Sequence, residues 1–200
     1  MPGRVHPPVA MEILIVGMRG VSRLCWLCLC LLVSGAVLIG LPNAAVAEPK
    51  ALGRVIFKSG DWRVQVISFA DGGTFCLADV RQKKSAFSIW TNGRGTVRLV
   101  FSAQDWKFGR AAADLRVRID KRPQWKLENA QLAGQTAVFE LPRDKNGSGF
   151  LRQVMAGNRL VLLNRKGAAL KEWSLRGSKS ALTELIGCDA ALAGAKPASK

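Results

Sequence analysis

The residues in this chain with the most chemistry to offer are cations. Arg81, Lys83 and Lys84 crowd one segment, and Arg116, Arg118, Lys121 and Arg122 crowd a second, with Trp125 just beyond. Arginine forks and lysine ammonium groups hold oxyanions, and an aromatic ring nearby adds a surface for a ligand or a cation. A solvated outer sheet face is the alternative reading of the same residues. The groups needed for covalent or metal chemistry are scarce. His6 is the only histidine, and three of the five cysteines (Cys25, Cys28 and Cys30) lie in one apolar run. That run, Leu24 to Leu41, follows Arg19 and Arg23 and precedes Ala45-Val46-Ala47. Basic, apolar and small-residue regions in that order make a secretory leader, residues 1–47, with Met18 as an alternative start. An anchor that is never cut is the alternative.

Cleavage after Ala47 removes the histidine and the three leader cysteines. It excludes Ser-His-Asp and Cys-His catalysis and any histidine-based metal site. Cys25-x-x-Cys28 lies in the apolar run and is not read as a redox motif. No phosphate-binding glycine loop is present, since Gly93-Arg94-Gly95 is too short. Asp144 to Ser148 resembles half of a calcium loop without its remaining ligands, and a polar turn is the better reading. Carboxylate chemistry would have to come from Asp105, Asp114, Asp120, Glu128 or Glu140, which look like surface or turn positions. The sequence therefore implies no cofactor, no metal and no enzyme.

Removing Arg4, Arg19, Arg23 and Glu12 lowers the formal charge from +16 to +14. A charge that large on a small exported domain favours anionic partners: lipid head groups, acidic polysaccharide or acidic proteins. Nucleic acid suits the charge but fits poorly with export. Cys76 and Cys188 remain, and an isolated pair in an oxidising compartment most simply forms one disulfide, two buried thiols being the alternative.

The elements that must position these groups read as strands between turns. Arg54 to Lys58, Trp62 to Ser68, Thr74 to Val80, Ala86 to Trp90 and Thr96 to Ser102 come first, broken at Asp71-Gly72-Gly73 and Asn92 to Gly95. Leu115, Val117 and Ile119 alternate with Arg116, Arg118 and Asp120, a half-buried strand with a charged outer face. Trp125 to Leu127 and Thr136 to Leu141 follow. Asp144 to Gly149 reads as a loop. Phe150, Leu151, Val154 and Met155 have helical spacing, with Gly157 as a stop. Leu160 to Leu163 and Ala168 to Leu175 form a hairpin. Ser178 or Ser180 would cap a last helix with Ala181, Leu182, Leu185 and Ile186 on its apolar stripe and Cys188 on the same side. The expected fold is mainly β, an antiparallel β-sandwich or curled sheet with two short helices, in a single domain from 48 to 189. Residues 190–200, rich in Ala, Gly, Pro, Ser and Lys, are expected to be a disordered tail. The tryptophans after residue 47 are expected mostly in core and sheet-face packing, with an aromatic ligand surface as the alternative.

Gly60-Asp61-Trp62-Arg63-Val64 with Gly73-Thr74-Phe75-Cys76, and the later Trp173-Ser174-Leu175-Arg176-Gly177-Ser178, resemble the two ends of the invasion-associated locus B family. The resemblance implies an exported bacterial protein of mostly β structure and a periplasmic location, with secretion or N-terminal anchoring as the alternatives. Many relatives carry a cysteine soon after the tryptophan, where Val66 stands here, which leaves Cys188 as the partner for Cys76. The family supplies no catalytic residues. The resulting expectation is a non-enzymatic module that contacts an anionic envelope or host component. An inhibitor or chaperone-like partner of another exported protein is the second reading, and a carboxylate enzyme the third.

Overall fold

Strand-forming runs and tight turns lay the chain down as one antiparallel sheet. The computed structural model describes residues 52–70 and 72–194. The expected leader lies outside the described residues. Ten strands are present among them: β1 (Leu52–Ser59), β2 (Trp62–Ser68), β3 (Thr74–Gln82), β4 (Ser85–Thr91), β5 (Val97–Ala103), β6 (Phe108–Ile119), β7 (Trp125–Gly134), β8 (Thr136–Glu140), β9 (Arg159–Asn164) and β10 (Ala169–Ser174). Helix α1 (Lys145–Ala156) precedes β9, and α2 (Ser178–Gly194) follows β10. The sheet order is β1-β2-β3-β4-β5-β8-β7-β6-β9-β10. The first five strands are a meander. The chain then jumps across two positions to β6 and returns through β7 to β8 beside β5.

The sheet is curled and does not close into a barrel. Its two ends meet instead through turns. The Asp61 amide donates to the Arg176 carbonyl at 3.0 Å, and the Trp62 indole N–H donates to the Ser174 carbonyl at 3.1 Å. Gly60 and Gly177 have φ of 54° and 94°, and each lies against the other's loop so closely that a Cβ would strike backbone. Only glycine combines that conformation with that approach.

Alternation decides what is buried. Val64, Ala78, Phe87, Ile89, Leu99, Phe101, Val117 and Ile119 point inward and are shielded from solvent. Helix α2 lies over this inner face, with Ala181, Leu182 and Leu185 buried. Trp62 and Trp173 are fully buried, and Phe87 stacks on Phe101 at 5.0 Å. The Cys76–Cys188 disulfide joins β3 to α2.

Several elements differ from the sequence reading. Strands β6 and β7 are far longer than expected, beginning at Phe108 and ending at Gly134. Their added halves are rich in Ala, Gly and polar residues, with no alternating apolar pattern to announce a strand. They form because each pairs with the other, with bulges between Phe108 and Ala111 and between Ala113 and Leu115. The expected loop from Asp144 is the start of α1. Asp144 caps it, its carboxylate accepting from the Asn146 and Gly147 amides at 2.8 and 2.9 Å. The partial calcium-loop pattern is thus a helix cap. Ser178 opens α2 but does not cap it through its side chain. Its hydroxyl donates to the Val154 carbonyl at 2.7 Å and ties α2 to α1. Ile186 is 62% exposed, outside the buried stripe. Residues 190 to 194, expected to open a disordered tail, continue α2.

Candidate functional site

The β3–β4 hairpin puts the first basic cluster at a sharp corner. Gln82 pairs with Ser85, so Lys83 and Lys84 alone make the turn. Lys83 has φ 53°, a conformation that hairpin turns ordinarily give to glycine or asparagine. The Gln104 amide donates to the Lys84 carbonyl at 2.9 Å, which fixes the turn against the loop after β5. A cleft of about 200 Å³ opens beside it on the outer face. Arg81, Lys83 and Lys84 supply three cations, Ser85, Ser102, Gln104 and Gln135 supply polar groups, and none of the described residues lining it is acidic.

The acidic groups nearby are already committed. Asp79 is 3% exposed and accepts from Arg63 at 2.8 Å, Gln65 at 2.7 Å and Arg81 at 3.2 Å. A buried carboxylate needs such partners, and here it also steadies the Arg81 stem at the cleft wall. Across the turn, Lys83, Lys84 and Ser85 also line a second hollow of about 430 Å³ that does hold acidic groups, Asp105 paired with Lys171 at 2.7 Å and Glu172 with Arg159 at 3.4 Å. The hydrogen bond from Lys171 holds the Asp105 carboxyl below its ordinary value.

The second predicted cluster is dispersed. Arg116 and Arg118 project from the outer face of β6, as their alternation with buried Leu115, Val117 and Ile119 requires. Strands β8 and β7 stand between β6 and β5 in the sheet, which sets these two cations apart from the β3–β4 turn. Arg116 donates to Gln124 at 3.3 Å. Lys121 is exposed in the following turn. Arg122 serves the fold instead, donating to the carbonyls of Gln153 and Ala156 at 3.1 and 3.3 Å, at the C-terminal end of α1. Trp125 pairs in register with inward-facing Val117, so it lies on the opposite face from Arg116 and Arg118. It packs edge-on to Phe150 at 5.7 Å and donates to Gln153 at 2.9 Å. Closeness in sequence did not survive the period-two alternation of strands.

The outer face also carries an aromatic cluster. Phe69, Phe75 and Trp90 pack together with centroids 5.6 to 6.5 Å apart. They line a cleft of about 230 Å³ with Val100 and Val138, and Arg98, Asn92 and Thr96 stand among its lining. The Trp90 N–H is held by Ser88 at 2.9 Å. The signal in the sequence was that Trp90 falls in phase with Ser88 and Ala86, on the face of β4 opposite the core residues Phe87 and Ile89.

Apart from Glu128, the candidate carboxylates have partners within the fold. Asp114 accepts the Asn129 amide at 3.1 Å at the β6–β7 bulge, and Asp120 accepts the Asn158 and Arg159 amides at 3.1 and 2.9 Å. Glu140 faces Arg98 at 3.7 Å. Glu128 is exposed on β7. Among the described residues no group of three or more His, Cys, Asp or Glu is placed to hold a metal ion, and no helix is long and apolar enough to cross a membrane. No family model, curated protein or solved structure matches this chain.

Proposed function

We propose that this protein is an exported, non-enzymatic binding module of the bacterial envelope that recognises anionic groups on lipid, glycan or protein. The observation that carries the reading is the outer-face cleft at the β3–β4 turn, with three cations and no acidic lining residue. The leader pattern and the resemblance to the invasion-associated locus B family support export.

Titration of the processed protein with inorganic phosphate and with heparin at rising salt tests this reading. Binding should weaken steadily with salt. A Lys83→Ala/Lys84→Ala variant should lose about tenfold or more in affinity, the equivalent of about 1.4 kcal/mol. Absence of salt-sensitive binding, or a double variant that binds as the parent does, would sink it. The second reading, an inhibitor or chaperone-like partner of another exported protein, draws on the β1 edge, where Leu52 and Val55 are 73% and 40% exposed. Edge strands accept a further strand from another protein. A stoichiometric complex abolished by a proline at Val55 would favour it.

A further inference from the structure

The geometry points to a single-chain anionic amphiphile as the ligand, its head group at the Lys83–Lys84 turn and its apolar part in the Trp90 cleft. The inference rests on the anion-binding reading of that turn and extends it to the neighbouring cleft. The two clefts share one face of the same strands. Along β4, Ala86 lines the basic cleft and Trp90 the aromatic one, four residues apart, about 13 Å at strand rise. Along β5, Ser102 lines the first and Val100 the second, successive positions on the outer face. Between them lies Ser88, which pairs with Val100 in register and is 8% exposed. Ala86, Ser88 and Ser102 are small, and the Trp90 indole, whose N–H reaches Ser88 at 2.9 Å, extends from the aromatic end toward the basic one, so a bound chain would run across that ring.

Each end takes a different half of one molecule. The cationic end fits a phosphate, sulfate or carboxylate head. At the other end, half-buried rings on a water-facing sheet surface leave apolar area that an acyl chain or ring would cover. Phe69, Phe75, Trp90, Val100 and Val138 give that end its apolar surface, and Thr91, Asn92, Thr96 and Arg98 are the polar groups in its lining, so the neutral maltoside is the comparison that separates an apolar chain from a sugar there.

Calorimetric titration of the processed protein with monododecyl phosphate, below its critical micelle concentration, tests the inference. Inorganic phosphate, dodecyl maltoside and phosphatidylglycerol vesicles are the comparison probes. The expected result is binding of dodecyl phosphate at least about tenfold tighter than either inorganic phosphate or the neutral maltoside. Trp90→Ala and Val138→Asp should each weaken dodecyl phosphate about tenfold and leave inorganic phosphate unchanged. Val138 is half-buried on the outer face, so its variant serves if Trp90→Ala fails to fold. Dodecyl phosphate binding no tighter than phosphate overturns the amphiphile and leaves the anion site standing. Failure of both probes overturns both. Tight binding insensitive to Trp90 and Val138 overturns the shared path. Vesicle binding that dodecyl phosphate does not displace places the anion site at a bilayer surface and overturns the monomeric ligand.

Discussion

Asp79 shows how a single residue can serve both stability and the candidate site. Its carboxylate is buried on the outer side of β3 and held by Arg63, Gln65 and Arg81. Asp79→Ala leaves these donors without their acceptor, and it should lower the unfolding free energy by about 1–3 kcal/mol. Arg81→Ala should cost less than about 1 kcal/mol, because that side chain is 69% exposed and solvent screens the pair. Urea denaturation of both variants checks the order, and a larger loss for Arg81→Ala would contradict it. Asp61 offers a pH test. The hydrogen bond from Arg176 lowers its pKa, so its contribution is present above the unfolded value and fades as pH falls through the folded one. Arg176 is mostly exposed and solvent screens the pair, so the effect is small. Wild type should unfold at a slightly higher urea concentration than Asp61→Asn at pH 7, and the difference should shrink as pH falls below the ordinary aspartate value of 3.8. A gap that stays constant over that acid range would mean that Asp61 acts through something other than its charge.

At the scale of elements, the decisive contact is between the β1–β2 turn and the β10–α2 turn. Gly60, Asp61 and Trp62 meet Ser174, Arg176 and Gly177 through two backbone carbonyl contacts, one ion pair and two facing glycines. These are the same short motifs that carry the family resemblance, 112 residues apart at Trp62 and Ser174. Their joint role is to clasp the two ends of a curled sheet. Gly177→Ala places a methyl group on the Ser59 carbonyl in a backbone region that alanine avoids. It should cost about 2 kcal/mol or more, and Gly167→Ala, equally left-handed but facing open space, should cost less. Thermal unfolding of the two variants separates steric closeness from conformation alone, and equal losses would remove the clasp from the explanation.

For the whole molecule, the Cys76–Cys188 disulfide encloses most of the folded chain and holds α2 on the inner face of β3. A cross-link of that length restricts the unfolded chain, and its removal should cost about 2–5 kcal/mol. Guanidinium unfolding of a Cys76→Ala/Cys188→Ala variant should show the loss. Unchanged stability would mean that the packing of Ala181, Leu182 and Leu185 holds α2 by itself. The Asp189 carboxylate gives α2 a second tether, since it accepts the Gly93 amide at 2.6 Å in the β4–β5 turn. Charge also acts at this scale. The clefts at the two ends of one outer face belong to no single strand, and only the register of β3, β4 and β5 aligns them.

The sequence by itself determined the strand-rich class, the turns at Gly72 and Gly93, two helices and the Cys76–Cys188 pair, because alternation, glycine and cysteine chemistry act locally or by count. It also showed Lys83 and Lys84 as a cluster, since residues in a two-residue turn stay together whatever the fold. Tertiary structure alone decided the rest. Trp125 and Arg122 look like neighbours of Arg116 and Arg118 in the chain, yet strand alternation and the position of α1 turn them to the inner side and to a helix end. The extended halves of β6 and β7 carry no pattern of their own and exist through their mutual pairing. The aromatic cleft assembles from the β2–β3 turn, the consecutive strands β3, β4 and β5, and the sequence-distant β8. Nothing in any one of them marks a site until the sheet sets them side by side.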